Sequence, residues 1–169
     1  MVPRYHRRKP ARHRTFEPAI GFVSGAEYFQ CRRVYSDKDN LVLIMCAEPK
    51  PICIIDDDAP VRNSIEQLLD SDGLKAQSFE DAEDFLSYAR SHAVPLAILD
   101  VWMPKTSGLE VQAQLRVVSP KTKVIVMTAR EIPAIRAAAL EGGAFAFLSK
   151  PFDDDAFLSL VHQALALAA

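Results

Sequence analysis

From Pro51 to the end of the chain, short apolar runs alternate with longer amphipathic stretches, and this alternation restricts the fold more than any other feature. The runs are Ile52 to Ile55, Leu74 to Phe79, Leu96 to Leu99, Val124 to Met127 and Ala144 to Leu148. The second is weak. The other four lack polar alternation, as strands buried on both faces do. Buried parallel strands need crossover helices, and right-handed crossovers place those helices on both sides of one sheet. The expected fold class is α/β: a doubly wound (βα)5 unit with a parallel five-stranded sheet, spanning residues 51–169.

The amphipathic stretches have recognisable ends. Pro60 suits a first helical turn, Val61, Ile65, Leu68 and Leu69 form one apolar stripe, and Gly73 follows as a stop. Ser78 with Asp81 reads as a capping box before Ala82, Phe85, Leu86 and Ala89. Ser107 with Glu110 reads the same way before Val111, Leu115 and Val118, and Pro120 prevents continuation. The fourth helix, about Ile132 to Leu140, is alanine-rich and ends at Gly142 and Gly143. The fifth has Asp153, Asp154 and Asp155 at its positive amino end and offers Phe157, Val161 and Leu165 to the core. Cys53 is expected to be a buried small hydrophobe, and His92 and His162 to be solvated.

Charge divides the chain at the same place. Residues 1–50 hold 10 Lys/Arg against 5 Asp/Glu, a net +5, whereas residues 51–169 hold 10 against 17, a net −7. The basic part is expected to be an unstructured extension, because it lacks periodicity before Leu41 and its first 14 residues carry six Lys/Arg and no acid. It is either a solvated tail, a segment upstream of a true start at Met45, or a basic arm for nucleic acid or an anionic surface. The longest strongly apolar run, Leu41 to Cys46, is six residues, where a membrane span needs about 18 to 20. No membrane insertion and no secretory leader are expected. The three cysteines have no paired spacing, so a reducing cytoplasm is the expected setting.

In an open α/β sheet the ligand site lies beyond the carboxyl ends of the strands. Asp56, Asp57 and Asp58 follow the first run, Asp100 the third, Thr128 the fourth, and Lys150 with Pro151 the fifth. Clustered carboxylates repel unless a cation shares them, and an oxygen-only donor set favours Mg²⁺. Such an ion neutralises charge as a phosphoryl group transfers to a carboxylate oxygen, while Lys150 and Thr128 take the other phosphoryl oxygens. The residues describe a phospho-acceptor site.

Four motifs in register carry a resemblance: Ile54-Ile55-Asp56-Asp57-Asp58, Leu99-Asp100-Val101-Trp102-Met103-Pro104 with Ser107-Gly108, Val126-Met127-Thr128-Ala129, and Phe147-Leu148-Ser149-Lys150-Pro151-Phe152. Together they resemble the receiver domain of two-component response regulators, from Pro51 to about Leu167. The resemblance implies a flavodoxin-like sheet of strand order 2-1-3-4-5. It implies that Asp100 accepts a phosphoryl group from a sensor histidine kinase or phosphotransfer protein. Mg²⁺ would be held by Asp57 directly, by Asp56 largely through water, by Asp100, and by the main-chain carbonyl of Trp102. Thr128 and Phe147 match the two switch positions, Lys150 the phosphoryl-pairing lysine, and Lys150–Pro151 a bond that is usually cis. Trp102 and Arg130 fall where the family varies, and are candidates for tuning the phosphoryl lifetime.

The expected role is a signalling switch and not a turnover enzyme. Its output would pass through the fourth helix, fifth strand and fifth helix to a downstream protein or a second copy. The chain ends at Ala169 directly after the fifth helix, so a stand-alone receiver is expected and DNA binding is not. Two alternatives stand beside this reading. Asp56-x-Asp58 superficially fits a phosphatase of the haloacid dehalogenase type, but Pro60 stands where that family has Thr or Val. The basic arm of residues 1–44 would serve a DNA-binding regulator.

Overall fold

A computed structural model describes residues 50–168 throughout and, by backbone, the strands at 31–35 and 42–46. These belong to two units, each described by itself.

In the amino-terminal unit β1 (Cys31–Tyr35) and β2 (Val42–Cys46) pair antiparallel, Cys31 opposite Cys46 and Tyr35 opposite Val42. The pair lies within the stretch expected to be an unstructured extension. Val42–Cys46 is most of the six-residue apolar run, and an unbroken run of strand length needs no alternation to pair. The rest of that expectation, and the choice between tail, arm and start at Met45, lies outside the described residues.

The second unit is built on five parallel strands: β3 (Ile52–Ile55), β4 (Ala76–Phe79), β5 (Leu96–Asp100), β6 (Lys123–Thr128) and β7 (Ala146–Ser149). Their order across the sheet is β4-β3-β5-β6-β7, which is the expected 2-1-3-4-5 counted within the unit. Five helices alternate with them: α1 (Ala59–Ser71), α2 (Ala82–Ser91), α3 (Gly108–Val118), α4 (Pro133–Glu141) and α5 (Asp154–Ala166).

Period-two alternation sorts the central strands' side chains into two cores. Cys53, Ile55, Ala97, Leu99 and Val126 face α2, α3 and α4, packing with Phe85, Val111, Leu115 and Ala139. Ile52, Ile54, Leu96, Ile98, Ile125 and Met127 face α1 and α5, packing with Ile65, Leu69, Phe157 and Val161. Both faces are therefore covered, which is why those runs carry no polar alternation. The weak second run is the edge strand β4, none of whose residues is fully buried.

Helix ends largely follow the sequence. Ser107 and Glu110 cap α3 reciprocally, with Glu110 N–H donating to Ser107 Oγ at 3.3 Å and Ser107 N–H to Glu110 Oε2 at 3.0 Å. The amino end of α2 differs from expectation: Asp81 itself is the cap, accepting from Glu83 N–H at 2.8 Å, because Ser78 is committed to β4 opposite Ile54. His162 also differs. It is half-buried on α5, with Nε2 2.6 Å from Asp72 Oδ2 beyond the end of α1. His92 is exposed as expected, its ring stacked on Tyr88 with centroids 4.0 Å apart. No described helix is long and apolar enough to cross a membrane.

Candidate functional site

The parallel sheet brings four chain-distant residues to one edge. Asp56 follows β3, Asp100 ends β5, Thr128 ends β6 and Lys150 follows β7. Strand pairing puts β3 and β7 on opposite sides of β5 and β6, so an acid and a base separated by 94 residues arrive at the same place.

Lys150 is the centre of the cluster. Its Nζ donates to Asp56 Oδ2 at 2.6 Å and to Asp100 Oδ1 at 2.7 Å. Burial pulls the ammonium's pKa down, but the hydrogen bonds to Asp100 and Asp56 and the charges of both carboxylates outweigh it, leaving Lys150 above its ordinary value. The lysine is thus a committed cation at neutral pH. Asp56, 1% exposed, also accepts from Asp58 N–H at 2.9 Å. Asp100 Oδ2 accepts from the main-chain N–H of Trp102 at 2.6 Å. Each carboxylate oxygen still has a lone pair left, so neither acid is saturated.

The backbone supports these positions. Lys150 N–H donates to Thr128 O at 2.7 Å, tying the ends of β6 and β7 together, and the Lys150–Pro151 bond is cis. Gly108 N–H donates to Val101 O at 3.1 Å. At Gly108 an ideal Cβ would lie 2.1 Å from the carbonyl oxygen of Asp100, so only glycine lets α3 start this close to the acid.

The remaining expected residues are placed as follows. Asp57 is exposed beside Asp56. Thr128 is fully buried, but its hydroxyl donates to Arg130 O at 3.0 Å and accepts from Arg130 N–H at 3.1 Å, so it is engaged with the β6–α4 loop and not with the acids. Arg130 is exposed. Phe147 is packed inward, 7% exposed, with the Arg136 guanidinium 5.7 Å from its ring centre. The ring is inward while the threonine still holds its own loop. Trp102 is 48% exposed. Sequence reasoning missed Arg62, whose Nη1 donates to the main-chain carbonyl of Asp56 at 2.6 Å. An arginine on an otherwise uncharged first stretch of helix was the only signal, and it is a faint one.

Two carboxylates and one ammonium leave the buried trio with a net charge of −1, and Asp57 adds another at the rim. That excess suits a divalent cation. Among the described residues no three His, Cys, Asp or Glu side chains gather closely enough to hold a metal by themselves. The residues that could hold one are Asp57 and Asp100 through their carboxylates and Trp102 through its main-chain carbonyl, all hard oxygens. That set fits Mg²⁺, which commonly takes one or two carboxylates and keeps several waters.

Known proteins share this sequence pattern and this fold. The response regulator receiver domain family matches residues 52–162. The transcriptional regulatory protein TdiR of Thauera aromatica is 38% identical over 116 residues, covering 69% of this chain and 51% of TdiR. The chain spans about half the length of the curated relatives it matches. Among solved structures, a CheY-like receiver domain protein from Methanospirillum hungatei JF-1 superposes with a TM-score of 0.68 at 25% identity, covering 72% of this chain and 97% of that one. The beryllofluoride-activated NtrC4 receiver domain dimer gives 0.67 at 25% identity, over 70% and 98%. Matched in sequence from Ile52 to His162 and in the order of its five strands, the chain belongs to the response regulator receiver domain family of two-component signalling.

Proposed function

We propose that Asp100 accepts a phosphoryl group from the phosphohistidine of a sensor histidine kinase or phosphotransfer protein. A carboxylate oxygen of Asp100 forms the new P–O bond as the P–N bond to the donor's imidazole breaks. The observation that carries this reading is Lys150 Nζ, set between Asp56 and Asp100 at 2.6 and 2.7 Å. A cation held there faces an equatorial phosphoryl oxygen once the group arrives, where its charge is worth more than in water. Asp57, Asp100 and the Trp102 carbonyl would hold Mg²⁺, with Asp56 acting through water, and the ion when bound supplies charge neutralisation to the transferring group.

Thr128 supplies the response. Its hydroxyl exchanges the two Arg130 bonds for a phosphoryl oxygen, which frees the loop leading into α4. Output then leaves through α4, β7 and α5 to a downstream protein or a second copy. Deleting residues 1–44 tests the basic-arm reading, because loss of a salt-dependent DNA affinity would support it. The phosphatase reading has no support in the family match.

Intact mass after incubation with a phosphorylated histidine kinase and Mg²⁺ tests the reading. The wild type is expected to gain one acid-stable, base-labile phosphoryl group and Asp100→Asn none. Labelling that survives Asp100→Asn and disappears with Asp56→Asn would instead put the acceptor on β3's loop, as in the phosphatase.

A further inference from the structure

We propose that Arg62 is a positioning residue for the acidic turn and sets how tightly the site takes a divalent cation. The proposal rests on reading Asp56, Asp57 and Asp100 as the cation's acidic site. Arg62 lies on the first stretch of α1, with its side chain 13% exposed. Its Nη1 donates to the carbonyl oxygen of Asp56 at 2.6 Å, and its own main-chain N–H donates to the carbonyl of Asp58 at 3.0 Å. These two bonds straddle Asp57. Asp58 N–H closes the same turn onto Asp56 Oδ1 at 2.9 Å. The main-chain bond to Asp58 belongs to the helix whatever residue stands at 62, so the side chain acts on the direction in which Asp57 leaves the turn through its bond to the Asp56 carbonyl. On the outer side Nη2 lies 3.7 Å from Oε2 of the exposed Glu80, a long and weak pair.

Charge and position act in opposite senses here, and that makes the role testable. A guanidinium next to a cation site repels the cation, so if charge were all that mattered, removing it would tighten binding. If Arg62 positions the carboxylates, removing it loosens them and weakens binding. Groups that orient metal-binding side chains typically contribute about 10- to 100-fold to affinity. An ammonium at the same place keeps the charge but not the planar fork.

Trp102 is the only tryptophan in the chain and its main-chain N–H bonds Asp100, so its fluorescence reports the site. The full chain is titrated with MgCl2 at constant ionic strength, without phosphodonor, well below the thermal unfolding midpoint of each variant. Arg62→Met is expected to weaken Mg²⁺ binding roughly tenfold, with Arg62→Lys intermediate. Unchanged or tighter binding in Arg62→Met overturns the proposal, because a merely structural role would lower the unfolding midpoint and leave the affinity of the folded protein alone. If Arg62→Met does not fold, Arg62→Lys decides: weaker binding supports positioning, equal or tighter binding overturns it. Asp57→Asn separates the two levels. Weakening there with no change at Arg62 removes the Arg62 role alone, whereas no change at Asp57 removes the site reading and the proposal with it.

Discussion

The buried ion cluster concentrates its consequences on single side chains, and Lys150 carries most of them. With its pKa held above the ordinary value, the stabilisation it contributes is complete below the unfolded-state value near 10.4 and is lost as pH rises through the higher folded-state value. Lys150→Met leaves two buried carboxylates without their cation and should cost about 3 kcal/mol. Urea unfolding of the wild type and Lys150→Met should therefore differ by that amount at pH 8 to 9, and the gap should narrow as pH rises through the raised folded-state value; a gap that does not narrow on the alkaline side contradicts the assignment. Trp102 separates cleanly into backbone and ring, because the bond to Asp100 comes from its main-chain N–H and survives any substitution but proline. We propose that the half-exposed indole acts by keeping water from the acyl phosphate. Trp102→Ala should shorten the phosphorylated lifetime on the order of threefold, about 0.6 kcal/mol of barrier, measured by loss of label after donor removal. Cys53 matches the sequence expectation of a buried hydrophobe, and burial pushes its thiol up to about 12. In a Cys31→Ser, Cys46→Ser background it should resist thiol reagents at pH 8 until urea unfolds the chain.

Between elements, the tightest constraint is where α3 starts. Gly108 stands against the Asp100 carbonyl, so Gly108→Ala must push the helix or the acid aside. It should cost roughly 1 to 3 kcal/mol and slow phosphorylation, whereas Ser107→Ala, one residue earlier, should cost about 1 kcal/mol through the lost cap and leave the rate nearly unchanged. Equal rate effects in unfolding-corrected assays would mean that the cap and not the close approach matters. The contrast also shows what a sequence discloses. The capping box at Ser107 and Glu110 was readable because it depends on residues three apart, but the need for glycine at 108 depends on a strand end eight residues earlier in the chain and was not. The same holds at α2, where a Ser78 to Asp81 box looked sound locally and failed because β4 claimed Ser78. The central strands were legible because burial on both faces imposes an unbroken apolar run. Residues acting through main-chain atoms left almost no trace, Arg62 on the Asp56 carbonyl above all.

Across the whole receiver unit, the four strand-end side chains were predictable together because parallel topology sends every strand's carboxyl end to the same edge. The connections among them were not: no spacing reveals that Thr128 is bound to Arg130 while Phe147 is already inward. That pairing bears on how a phosphoryl group at Asp100 reaches a partner. Of the five helices around the sheet, α4 is the least anchored, being nine residues long with no side-chain cap at its amino end and one fully buried residue, Ala139. Helices α1, α2, α3 and α5 each bury two or more. An element with so little apolar anchoring sits at the low end of local stability and is the one a released Thr128 loop can displace. Its solvent side carries Leu140, 45% exposed, an apolar side chain open to a second copy, and Ile132 is exposed at its amino end. Beryllofluoride with Mg²⁺, as a phosphoryl mimic on Asp100, should change hydrogen exchange in α4 more than in α3, and should raise the dimer fraction in sedimentation. Leu140→Glu should abolish that dimer while leaving phosphorylation of Asp100 unchanged, because the side chain lies on the outward face of α4 and Asp100 at the end of β5. A receiver that stays monomeric when loaded, with α4 exchange unaltered, would show that output does not pass through this face.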